Sequence, residues 1–124
     1  MENAPSRSYQ KGALSAAGAL MAGASVALLA YASHAGDGAA QDRLQTAGTI
    51  ALVHGAAIAA LSRAGSRRVA SFAVLALAVG ALLFSGSVAM SVVAQWPTTL
   101  APAGGLLLIG GWLLWAVDAV RGRG

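Results

Sequence analysis

Few side chains in this 124-residue chain can do chemistry where the sequence is most apolar. His54 stands among alanine, valine, isoleucine and leucine, and a histidine there offers proton transfer, metal ligation or a buried hydrogen bond. Ser85 and Ser87 flank Gly86. A nucleophilic serine needs a base within hydrogen-bond reach; His54 is the only base near their depth and no carboxylate stands there to orient it, so a hydrolase is not expected. His34 and His54 supply two ligands where a metal site takes three or four at about 2.0–2.2 Å, so no metal is expected. Asp118, three residues before Arg121, reads as an ion pair along a helix. The chain has no cysteine, which removes disulfides, thiolate ligands and thiol nucleophiles. It also has no phosphate loop, dinucleotide fingerprint or H-E-x-x-H pair. No catalytic residue and no cofactor is assigned, and the chain is not read as an enzyme.

The elements that position these groups follow from composition. The chain is 57% hydrophobic and 10% charged, against about 25% charged in ordinary soluble domains. Its apolar residues fall into four runs, at about 13–32, 44–61, 69–93 and 100–120. A helix needs roughly 20 residues to cross a hydrocarbon core of about 30 Å. The runs do not alternate, which disfavours strands, and in lipid only helices and closed barrels satisfy every backbone group. The expected fold is all-α: an integral membrane antiparallel four-helix bundle. Its single domain spans 13–121, between an N-terminal arm at 1–12 and a tail at 122–124. Ala30-Tyr31-Ala32 has the small-x-small pattern of a signal-peptidase site, but the run before it exceeds the 7–15 residues of a signal segment, which favours a retained span.

Of eight basic residues, seven fall on one side of these spans: Arg7 and Lys11, then Arg63, Arg67 and Arg68, then Arg121 and Arg123. Arg43 is alone on the other side. The positive-inside rule puts both termini and the middle loop in the cytoplasm, or in the matrix for an organellar protein. The net charge of +4 is explained by these juxtamembrane cations without nucleic acid, which is not expected as a partner. Gly36, Asp37, Gly38 and Asp42 mark a turn on the outer side. Tyr31, Trp96 and Trp115 read as interfacial anchors, and His34 as a residue that caps the carbonyls ending the first helix or meets lipid headgroups.

Lipid gives helices no hydrophobic reason to associate, so small residues and polar pairs must hold them together. Ser15, Gly18, Ala22 and Ser25 recur at helical spacing in the first run, and Ala47, Ala51, Gly55 and Ala59 in the second. Ala78, Ala81, Ser85 and Ala89 do so in the third; Gly104, Gly111 and Asp118 lie seven apart in the fourth. His54 lies ten residues into the second run, about 15 Å from its outer end and near the midplane. Ser25, Gly80 or Ala81, and Gly110 or Gly111 lie at that depth. Glycine leaves room for the ring, and a backbone carbonyl or the Ser25 hydroxyl is available to accept its N–H.

Several of these positions form a recognisable order. Ala30-Tyr31-Ala32-Ser33-His34 closes the first helix, and Leu44-Gln45-Thr46 opens the second with His54 nine residues after Gln45. Leu83-Phe84-Ser85-Gly86-Ser87 follows in the third, and Pro102-Ala103-Gly104-Gly105 leads to Gly110-Gly111-Trp112 in the fourth. From about Gly12 to Arg121 this resembles the YgdD or transmembrane protein 256 family, a domain of unknown function found in small four-helix inner-membrane proteins with mitochondrial relatives. The family's glycine-rich approach to the first histidine is replaced here by Tyr31-Ala32-Ser33. Its polar or aromatic stretch before the second is replaced by Gly48-Thr49-Ile50-Ala51. The resemblance singles out His34, Gln45, His54, Ser85 and Ser87 as functional polar residues. It implies a multi-pass protein of the bacterial inner membrane and brings no established activity. Gly80, Gly104, Gly105, Gly110 and Gly111 are the expected packing glycines.

Small size, small-residue faces and an incomplete catalytic set point first to a non-catalytic accessory or assembly subunit of a larger inner-membrane complex, such as a respiratory one. Its partners would be membrane lipids and other integral membrane subunits. A small transporter or proton-linked channel using His54 and the serines is the second reading, and a lipid- or quinone-binding protein with its ligand beside Trp112 or His54 is the third.

Overall fold

The computed structural model describes residues 3–35, 38–65 and 67–122, so Gly36, Asp37 and Arg123 lie outside the described residues. Four helices make up the fold: α1 (Asn3–Ala32), α2 (Gly38–Ala64), α3 (Arg68–Val93) and α4 (Ala101–Arg121). Each contains a stretch long and apolar enough to cross a membrane.

The helices outrun the apolar segments that announce them. α1 starts ten residues before position 13, so most of the N-terminal arm is helical, and α2 starts six residues before Leu44, which puts Asp42 in a helix and not in a turn. Pro5 stands in the first turn of α1, where its missing N–H has no partner to lose. Once a helix is nucleated, each added residue gains a hydrogen bond, so polar residues extend it past the point where hydropathy falls. At the other end of α3 the chain stops sharply. Gln95 takes a left-handed conformation with φ 54°, and the Trp96 N–H reaches back to the Met90 carbonyl at 3.3 Å. The Ala94 N–H donates to the same carbonyl at 2.9 Å, and Pro97 follows, which cannot continue the helix. Pro102 then occupies the first turn of α4.

α1 packs on α2, α2 on α3 and α3 on α4, with no comparable contact between α1 and α4. The close approaches are made by glycine. A Cβ on Gly18 would stand 2.6 Å from the Gly55 carbonyl oxygen, and one on Gly55 would stand 2.7 Å from the Ala22 nitrogen. Only hydrogen fits between these two backbones. The Ser15 hydroxyl ties the same pair of helices by donating to the Ala59 carbonyl at 2.8 Å. Between α3 and α4, a Cβ on Gly80 would lie 2.9 Å from the Gly104 oxygen, and one on Gly111 would lie 2.8 Å from a methyl of Leu77. Ile58, Val74, Leu77, Ala81 and Leu108 form the buried core of α2, α3 and α4, with Leu14 and Met21 of α1 packed against it.

Two of the five expected packing glycines do not pack. A Cβ on Gly110 would meet nothing within 4 Å, and one on Gly105 would touch only a Phe84 ring carbon at 4.0 Å. The seven-residue spacing of Gly104 and Gly111 keeps them on one face, whereas Gly105 is turned about 100° from Gly104. Asp118 also departs from expectation: it makes no ion pair with Arg121 among the described residues. An exposed pair would gain little against the entropy of fixing two side chains.

Candidate functional site

The polar group at the centre of the molecule is a His54–Trp112 pair. α2 carries His54 inward, 7% exposed, one residue before the glycine that lets α1 close on α2. α4 carries Trp112 one residue after Gly111, the glycine seated on Leu77 and Ala73 of α3. The Trp112 indole N–H donates to His54 Nε2 at 3.1 Å, and His54 Nδ1 lies 2.7 Å from the Ile50 carbonyl oxygen. The ring centroids are 6.0 Å apart at 58°.

Donor logic assigns the proton. An indole nitrogen only donates, so Nε2 must be bare and accepting, and Nδ1 must carry the hydrogen that it gives to Ile50. Both ring nitrogens are thereby used. The imidazole joins α2 to α4 across 58 positions of sequence, and each ring nitrogen has a hydrogen-bond partner within the protein. Ser25 is not its partner, because the Ser25 hydroxyl donates to Met21 of its own helix at 2.6 Å. Serine and threonine commonly bond back to a carbonyl one turn earlier, and that local acceptor wins here.

The other singled-out residues do not gather around His54. His34 is exposed at the end of α1, with Nδ1 3.0 Å from the Ala30 carbonyl oxygen and 3.0 Å from the Ser33 hydroxyl. Gln45 is exposed on α2; nine residues from His54 is about 13.5 Å along the helix and half a turn around it, so the two point to opposite sides. Ser85 is buried at 6% exposure. The hydroxyls of Ser85 and Ser87 are both enclosed without a hydrogen-bond partner, and neither bonds to His54, whose two partners are Ile50 and Trp112. No group of three or more histidine, aspartate or glutamate side chains able to hold a metal occurs among the described residues. Two cavities, of about 670 Å³ and 490 Å³, open elsewhere in the bundle and neither is lined by His54.

Sequence reasoning missed Trp112 as the partner of His54. Depth along the helices aligns Gly110 and Gly111 with the histidine, and Trp112 is the next residue. Which face of α4 meets α2 is set by packing and has no local sequence mark.

The chain belongs to a protein family of unknown function, DUF423, whose model matches residues 27–105. The YgdD and transmembrane protein 256 naming is consistent with that family. The matched stretch includes His34, Gln45, His54, Ser85 and Ser87 and stops before Gly110, Gly111 and Trp112. No curated protein and no solved structure matches the chain.

Proposed function

We propose that this protein sits in the bacterial inner membrane as an antiparallel four-helix bundle with both termini in the cytoplasm, and serves as a non-catalytic accessory or assembly subunit of a larger membrane complex. The observation that carries this reading is the saturated His54 ring. The one histidine at midplane depth spends both nitrogens on holding α2 to α4, so the best chemical candidate in the interior acts as a joint.

Supporting features point the same way. The helix-facing glycines place Gly18 against Gly55 and Gly48 against Leu29, a reversed order of contacts that fits antiparallel neighbours. Leu20, Leu106 and Leu113 are 75%, 70% and 63% exposed, and surfaces of that kind suit lipid or another subunit. A conducting role draws no support from the cavities, neither of which reaches His54.

Extraction of the full chain from native membranes in a mild detergent, followed by native electrophoresis, tests the reading. Co-migration with a much larger assembly is expected. A chain that runs as a lone monomer in every mild extraction would refute the accessory role.

A further inference from the structure

One end of the bundle gathers cations around its larger cavity. Arg7 and Lys11 of α1 meet Arg67 and Arg68 at the start of α3 around a cavity of about 670 Å³, and no carboxylate lines it among the described residues. Its floor is apolar, built from Leu14, Leu61 and Val74. Phe72 and Leu75 belong both to this cavity and to the second, of about 490 Å³, which continues between α3 and α4 past Val79 to Leu107 and is lined wholly by apolar side chains. A cationic mouth therefore adjoins, across Phe72 and Leu75, an apolar trough that follows α3 for about two turns.

We propose that the mouth and trough bind one anionic phospholipid, with its phosphate among Arg7, Lys11, Arg67 and Arg68 and an acyl chain along Phe72, Leu75 and Val79. Four like charges held together with no carboxylate beside them among the described residues favour an anionic occupant. Arg67 also lies beside the last turn of α4, 4.0 Å from where a Cβ of Gly122 would stand, so one of the four cations faces the negative end of that helix. Depth agrees. From Lys11 to Ala32 is about 33 Å of helix, close to the hydrocarbon thickness, which sets Arg7 and Lys11 at headgroup level. A free phosphate would fill the mouth and leave the trough unused; a phospholipid fits both. The site rests on the membrane reading and is independent of any accessory role.

Native mass spectrometry of the purified full chain in detergent, titrated with dioleoylphosphatidylglycerol or dioleoylphosphatidylcholine, tests the site. The anionic lipid is expected to bind at least tenfold more tightly. Lys11→Gln and Arg68→Gln are each expected to weaken it about fivefold, and Leu75→Trp, which plugs the trough, to weaken it as well. Arg63→Gln removes a cation from the same end but outside the cavity lining, and is expected to stay within twofold. Lys11 and Arg68 lie on different helices, so a variant that loses its circular dichroism spectrum leaves the other to decide. Equal binding of the two lipids, displacement of the anionic lipid by millimolar inorganic phosphate, or an Arg63→Gln loss as large as that of Arg68→Gln would each overturn the proposal.

Discussion

Replacing Gly104 with alanine adds one methyl group at the closest approach of α3 and α4. The new Cβ would stand 2.8 Å from the Gly80 carbonyl oxygen and 2.9 Å from the Phe84 Cα, and it would also press on the Phe84 nitrogen. Ordinary contact begins at 3.4 Å, and all three obstacles are main-chain atoms that no rotamer change can move aside. The helices must therefore part by roughly half an ångström or more, a gap that forfeits about a quarter to a half of each dispersion contact across the interface. Overpacking of this kind typically costs about 1–3 kcal/mol, and alanine's better helix propensity returns up to about 1 kcal/mol. The net expectation is a loss of about 1–2 kcal/mol. Gly110→Ala on the same helix meets nothing within 4 Å, so it is expected to be neutral or to gain up to about 1 kcal/mol. Titration with sodium dodecyl sulfate, followed by circular dichroism, reads both values in one detergent. If the two variants moved together, in the same direction and by similar amounts, the assignment of glycines to packed and open faces would be wrong.

Other outcomes follow from the same contacts. Gly55→Ala, which would set a Cβ 2.8 Å from the Gly18 oxygen, should destabilise the α1–α2 pair by about 1–3 kcal/mol in the same titration. Leu77 is fully buried in the core, and Leu77→Ala should cost about 2–5 kcal/mol with no loss of helix in the folded baseline. A double-mutant cycle of His54→Ala with Trp112→Phe should return a favourable coupling of about 0.6 kcal/mol, up to about 1.7 kcal/mol; zero coupling would mean that the bond does not hold α2 to α4.

What the sequence made legible is what hydropathy and spacing encode. Four apolar runs marked four helices, and the ends at Ala32 and Val93 match because Ser33-His34 and Gln95-Trp96-Pro97 change the chemistry abruptly. The starts of α1 and α2 were illegible, because hydropathy registers a change of solvent while helix hydrogen bonding continues through Arg7, Gln10 and Lys11 or Ala39, Ala40 and Gln41. His54 stood out by contrast with its neighbours. Its partner did not, since the pairing depends on how α4 is rotated against α2. Gly104 and Gly105 are likewise adjacent letters with opposite roles, separated only by a register that the neighbouring helix fixes.

The ring of His54 is open to direct measurement by ¹⁵N nuclear magnetic resonance of the detergent-solubilised chain, with His34→Gln to assign the signals. One nitrogen should carry the proton, Nδ1, and Nε2 should be bare and shift when Trp112→Phe removes its donor. A ring protonated on Nε2, protonated on both nitrogens, or indifferent to Trp112→Phe would contradict a histidine that serves as the joint between two helices.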